Sequence, residues 1–205
     1  MRGLFLGDLV GRSGRDVVKE YLSDLKQQLS LDYVVVNAEN AAGGFGITEA
    51  IAEDLFAWGA DVITTGNHAW DQRGSIPYYD EERRLLRPHN YPPGSPGSGV
   101  VCITLSNGFS LTVINVMGRL FMETLDDPFQ SVQKLLESHV LGDTCHALII
   151  DMHAETTSEK AAMGVPALLW ERILMFLQRM HIFCPKEQGI KQMLGCAAIM
   201  IRSLG

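Results

Sequence analysis

Basic residues are in short supply: 17 Lys and Arg stand against 24 Asp and Glu, a formal net charge of −7. A surface of that sign repels phosphate backbones and anionic lipid, so neither stable nucleic-acid binding nor membrane attachment is expected. A small phosphate ligand is not excluded, because a bound cation reverses the local sign. Long apolar runs are missing too, and none approaches the ~18 residues that a membrane span needs. The four cysteines, Cys102, Cys145, Cys184 and Cys196, are scattered with no C-x-x-C pair. With no stretch that reads as a signal peptide, free thiols in a reducing cytoplasm are the expectation. Two phosphate-loop signatures fail as well. No G-x-G-x-x-G follows the first strand, which counts against a Rossmann-like dinucleotide binder, and "NAAGGFG" lacks the Walker Lys-Ser/Thr. That glycine cluster reads instead as a tight turn that lets backbone approach a site.

What is present is globular. The chain has 205 residues, 46% of them hydrophobic and 20% charged, enough for one domain with a real core. Short β-branched runs alternate with segments of helical period. "GLFLGD" ends at Asp8, and "SGRDVVKEYLSDLKQQLS" follows with Val17, Tyr21, Leu25 and Leu29 on one face and Ser13 as the expected N-cap. "DYVVVNAEN" comes next. "TEAIAEDLFAWG" then reads as a helix capped by Thr48 and stopped at Gly59, ahead of "ADVITTGNH". This β-α-β-α-β order predicts a mostly parallel sheet covered by helices. "RPHNYPPGSPGSG" breaks regular structure. "VVCITLSNGFSLTVINVMG" reads as a hairpin through Asn107-Gly108, "DPFQSVQKLLESHV" as a helix and "HALIIDMHAE" as a buried strand. Neither an internal repeat nor a low-complexity tract is found.

The chemistry gathers where strands end, the place at which open α/β sheets bind ligands. Four apolar runs lead into Asp8, Glu39-Asn40, Asn67-His68 and His153. Each has an ordinary alternative: an Asp after a strand often caps a turn, and His153 beside Glu155 can be a satisfied pair at the core edge. Together they are hard oxygen and imidazole donors able to converge on a dinuclear metal site with one bridging carboxylate. Arg12 and Arg119 fall near the expected rim, where they could steer a phosphate or simply be solvated.

Six phrases in fixed order, "GDLVGRSGRD", "NAENAAGGFGIT", "TTGNHAWD", "RPHNYPPG", "DDPF" and "DMHAETTSEK", resemble the bacterial YmdB-like metallophosphoesterases. These are calcineurin-like phosphoesterases, several of them 2',3'-cyclic nucleotide phosphodiesterases. The resemblance runs from Met1 to about Gly164. It implies an α/β sandwich holding two metal ions, iron or manganese, and a cyclic nucleotide or other phosphodiester as substrate. Carried over by position, Asp8 binds the first metal, Glu39 bridges the pair, Asn67 and His153 hold the second with Asn40 close by, and His68 protonates the leaving oxygen. An imidazole suits that acid role because its unperturbed pKa lies near 6.5. The oligomeric state is left open, a homo-oligomer included.

Beyond Gly164 the resemblance stops. The family's downstream G-T-H-T-H and T-D-x-G-M-x-G stretches are missing, and "LLWERILMFLQRMHIFCPKEQG" reads as Met- and Leu-rich and helical. Shifting the reading frame to the third base of each codon restores the pattern. Trp170-Glu171 then forces Gly, and the next four codons permit Thr-His-Thr-His. Met175-Phe176 forces Val, Met180-His181 forces Ala and Met200-Ile201 forces Asp, each at its family position. The expectation is therefore a metallophosphoesterase domain over 1–164, left incomplete, and an out-of-frame tail over 165–205. Such a chain lacks two histidine ligands and the closing strands of its second sheet. It is then either an impaired enzyme or a remnant that binds one metal or a nucleotide without turning it over. Sequencing the gene across codons 155 to 205 is the direct check: third bases that forbid those histidines would make the tail genuine.

Overall fold

The structure is a computed structural model and describes residues 1–168, 173–177 and 198–202, with side chains to residue 164. The first strand, β1 (Arg2–Leu6), leads into helix α1 (Gly11–Gln28), strand β2 (Tyr33–Asn37), helix α2 (Glu49–Trp58) and strand β3 (Val62–Thr64). A one-turn helix α3 (Tyr78–Glu81) and the short β4 (Leu85–Leu86) follow. A second set begins with the hairpin β5 (Val100–Thr104) and β6 (Ser110–Met117), then α4 (Pro128–Ser138), β7 (Ala147–His153), α5 (Thr157–Leu168), β8 (Ile173–Leu177) and β9 (Ala198–Arg202). The strands form two sheets, ordered β4-β3-β2-β1-β9 and β5-β6-β7-β8. Strands β1 to β4 pair in parallel, as do β6, β7 and β8, while β9 and β5 lie antiparallel on their neighbours.

Period-two alternation explains the layering. Phe5, Tyr33, Val35 and Val62 of the first sheet meet Leu111, Val113 and Ile149 of the second between the sheets. Their neighbours Leu4, Val34, Val36 and Ile63 face the opposite way, onto Leu22, Leu25 and Leu55 of α1 and α2. On the far side Ile114, Leu148 and Ile150 pack against Val132 and Leu136 of α4 and Met163 of α5. Strands covered on both faces must be apolar on both, which is why their sequences run nearly continuously apolar rather than alternating.

Most local expectations hold. The Thr48 hydroxyl accepts from Ile51 N at 3.3 Å, and Gly59, at φ 114°, closes α2. Gly108, at φ 81°, turns the β5–β6 hairpin, with Asn107 Oδ1 accepting from Phe109 N at 3.0 Å. Asp127 caps α4 by accepting from Phe129 N and Gln130 N. Ser13 is not the cap of α1, which begins at Gly11 after an N-cap, Val10, that offers no side-chain bond. The free amide of Gly11 is taken up instead by the carbonyl of Asn40 at 2.9 Å, so the helix start is fixed by a loop rather than by a cap.

Two short stretches of the tail are strands rather than helix. Ile173–Leu177 is a strand on the edge of β7 and Ala198–Arg202 a strand on the edge of β1, so both of those edges are paired. "ILMFL" and "AIMIR" are short apolar runs, and periodicity alone does not separate a buried strand from a piece of helix. The rest of the helical-looking stretch, His181 and Cys184 included, lies outside the described residues. Helix α5 runs through residue 164, where the family phrases end. Among the described residues no helix is long and apolar enough to cross a membrane.

Candidate active site

The parallel strands β1, β2 and β3 bring Asp8, Glu39-Asn40 and Asn67-His68 to one edge of the sandwich, where His153 at the end of β7 meets them from the other sheet. Asp8 sits at φ 49°, a left-handed backbone that Asp tolerates better than most residues. Its Oδ1 accepts from Asn40 Nδ2 at 2.8 Å, and both side chains are buried. The glycine cluster turns through Gly43, Gly44 and Gly46, all at positive φ, and Arg15 of α1 donates to the carbonyl of Ala41.

A continuous chain of polar contacts crosses the site. Asp71 Oδ2 lies 2.7 Å from His68 Nδ1, and His68 Nε2 lies 3.2 Å from Asn67 Nδ2. Asn67 Oδ1 is 2.8 Å from His153 Nε2, and His153 Nδ1 is 3.2 Å from Glu39 Oε1. The other oxygen of Glu39, Oε2, is buried with no hydrogen-bond partner. Burial, and next the charge of Asp8, push the Glu39 carboxyl up to about 8, with His68 opposing. A buried acceptor left without a donor is costly, of order 1–3 kcal/mol. Gly66 is required beside it: a Cβ there would stand 2.2 Å from Glu39 Oε2 and 2.6 Å from His153 Cδ2.

Below this layer the space between the sheets turns from apolar to polar. Asn37, Thr64, Asn115 and Asp151 continue the inward rows of their strands. Asp151 Oδ2 accepts from Thr64 Oγ1 at 2.6 Å and Asn37 Nδ2 at 3.1 Å. Asn115 Nδ2 donates to the Thr65 carbonyl at 2.8 Å. The sheets are thus bonded to each other directly beneath Glu39, whose amide in turn reaches Asn37 Oδ1 at 3.5 Å.

All six residues expected at the site are therefore gathered at this edge. Glu155 is exposed, and Glu39 holds His153 instead. Arg12 is ion-paired with Asp16 at 3.9 Å and Arg119 with Asp127 at 3.2 Å. Sequence reasoning passed over Asp71, Asp151, Asn37 and Thr64. The signal for Asp71 was its spacing of three from His68; that for Asn37 and Thr64 was a polar residue closing an apolar strand, and that for Asp151 a polar residue inside one. Asn90 was missed as well: it donates to the carbonyls of Met117 and Asp126, tying the Pro/Gly-rich loop to the end of β6.

The donor set suits a hard or borderline cation: carboxylates, amide oxygens and one imidazole, around a buried oxygen without a partner. Among the described residues no three His, Cys, Asp or Glu side chains converge as a complete metal-binding group, so Asn40 and Asn67 would have to contribute.

Known proteins share much of the sequence and the fold. The chain is 45% identical over 164 residues to the 2',3'-cyclic-nucleotide 2'-phosphodiesterase of Bacillus subtilis (strain 168), a match covering 80% of this chain and 61% of that protein. The crystal structure of a hypothetical protein from Thermus thermophilus superposes with a TM-score of 0.72 at 39% identity, covering 80% of this chain and 62% of the other. A phosphatase from Mycoplasma pneumoniae superposes with a TM-score of 0.73 at 31% identity, covering 80% and 59%. The chain thus spans about three fifths of the length of these relatives. Residues 4–168 match the YmdB-like protein family, and with the α/β sandwich and the residues at its strand ends this places the chain in that family.

Proposed function

We propose that the chain is a metal-dependent phosphodiesterase acting on cyclic nucleotides or related small phosphodiesters, in a cytoplasmic setting. The observation that carries the reading is the buried, unpartnered Glu39 Oε2 between Asp8 and His153, since a bound cation is what would satisfy it. Asp8, Glu39, Asn40, Asn67 and His153 would hold two ions, iron or manganese, which supply an activated water and charge neutralisation at phosphorus. The chain's own groups do the remainder. Asp71 holds a proton on His68 Nδ1, so Nε2, which accepts from Asn67 Nδ2 in the structure, would have to exchange that contact for a proton before giving it to the leaving oxygen. Asn67 fixes the imidazoles of His68 and His153 with one amide, its nitrogen toward the first and its oxygen toward the second. Both described cysteines, Cys102 and Cys145, are free thiols.

The test is hydrolysis of 2',3'-cyclic AMP by protein reconstituted with Mn²⁺ or Fe²⁺, with metal content measured on the same sample. Two ions per chain and turnover support the enzyme; bound metal or nucleotide without turnover supports the remnant. That second reading draws on the family's G-T-H-T-H stretch, which the sequence does not contain. In an active sample, His68→Ala should lower kcat by about 10²–10⁴. Asp71→Asn, which removes only the orienting charge, should lower kcat by roughly tenfold with KM little changed. Equal losses in the two variants would mean that Asp71 does more than position the imidazole.

A further inference from the structure

Phe45 is a large apolar side chain left 59% exposed while its backbone is fastened. Its amide donates to the Ala42 carbonyl at 3.4 Å, and its own carbonyl accepts from Gln72 Nε2 at 2.6 Å. The turn is closed by Ala42 N on the carbonyl of Gly46 at 2.9 Å. The ring stands edge to face with the imidazole of His68, centroids 5.3 Å apart. Gly43 and Gly44 precede it, and a Cβ at either position would meet nothing within 4 Å, so open space adjoins the turn. The protein therefore fastens the backbone that carries an aromatic ring at the side of His68 and leaves that ring uncovered.

We propose that Phe45 is a specificity-determining residue, the platform on which the nucleobase of the substrate stacks; this rests on the phosphodiesterase reading. A base is flat and uncharged, so it can lie on the ring without meeting the repulsion that a second phosphate would meet from a chain of net charge −7. Stacking tolerates any base because every base presents a π-face. Placed against His68, the ring would set the sugar so that its leaving oxygen faces Nε2. Phe45 would then supply base-dependent affinity rather than chemistry.

The experiment pairs two ligands on the full chain. One is adenosine 3'-monophosphate; the other is the 3-phosphate of methyl riboside, which keeps sugar and phosphate but has no base. Binding is followed by titration calorimetry with Mn²⁺ present, and hydrolysis of the matching 2',3'-cyclic phosphates in parallel. Phe45→Ala should weaken the adenosine ligand about tenfold or more, and the base-free ligand by less than twofold. Phe45→Trp should restore the adenosine ligand, and Phe45→Leu, apolar but without a π-face, should not. Equal losses for both ligands, or none for either, overturn the proposal, as does a wild-type chain that binds neither. Base-dependent binding without hydrolysis would instead refute the phosphodiesterase reading and leave the platform standing. Hydrolysis that is indifferent to Phe45 would do the reverse.

Discussion

Glu39→Gln should abolish metal uptake and at the same time make the metal-free protein more stable above neutral pH. The two effects share one cause. Glu39 is buried beside Asp8, and the cost of desolvating its charge holds the carboxyl up to about 8. A carboxyl whose folded pKa lies above its unfolded value favours folding below the unfolded value. That contribution is lost as pH rises through the folded one. The metal-free wild type should therefore lose stability progressively between about pH 4.5 and 8. A neutral amide of the same shape should flatten that slope. At pH 8.5 the variant should melt several degrees higher than wild type, at roughly 2–4 °C per kcal/mol for a chain of this size. With Mn²⁺ the order should invert. An ion bound as proposed would need the ionised carboxylate and would displace its proton, so wild-type affinity should climb with pH up to about 8 and then level off. The variant should show no metal-dependent rise in melting temperature at any pH, and catalysis should fall with it. Thermal melts at four pH values, with and without Mn²⁺, test all of this. A wild-type stability that rises between pH 5 and 8 in the absence of metal would contradict it.

How much of this was legible follows from what each feature depends on. The parallel sheet was, because buried β-branched runs separated by helical periods leave few other topologies. The gathering of the six candidate residues at one edge was, because each follows such a run and lands at a strand's carboxyl end. The start of α1 was not: the Gly11 amide is satisfied by the carbonyl of Asn40, a partner that exists only once β1 and β2 are side by side. The two tail strands were not, since five apolar residues carry no period that separates strand from helix. Asp151 was hidden for a different reason. Inside "LIIDMH" it looks like a polar interruption, and only the pairing of two sheets shows that Asn37 and Thr64 end their own strands at the same depth. Even so, alternation placed its side chain on the same face as His153, which is a readable hint.

Asp151→Ala should lower the melting temperature by roughly 10 °C, the largest single loss expected outside the apolar core. Asp151 is fully buried, and its Oδ2 receives donors from β2 and β3 across the space between the sheets. Alanine strips both, leaving the Asn37 amide and the Thr64 hydroxyl buried without that acceptor at about 1–3 kcal/mol each. Asp151→Asn should behave differently. Its amide oxygen can accept from the same two donors, so the link between the sheets survives. Burial raises the Asp151 pKa, with the bonds from Thr64 and Asn37 opposing, so wild type loses this residue's contribution as pH rises and the asparagine variant does not. The asparagine variant should thus match wild type in acid and gain on it at alkaline pH. The consequence reaches the site through Asn37, whose Oδ1 accepts from the amide of Glu39 at 3.5 Å. Freed from Asp151, Asn37 no longer fixes that backbone. The alanine variant should then bind Mn²⁺ more weakly even at temperatures where it is fully folded, while the asparagine variant should bind nearly as wild type does. Melting curves and Mn²⁺ titrations on the two variants decide the matter. An alanine variant as stable as the asparagine one would show that the sheets are held together by their apolar contact alone.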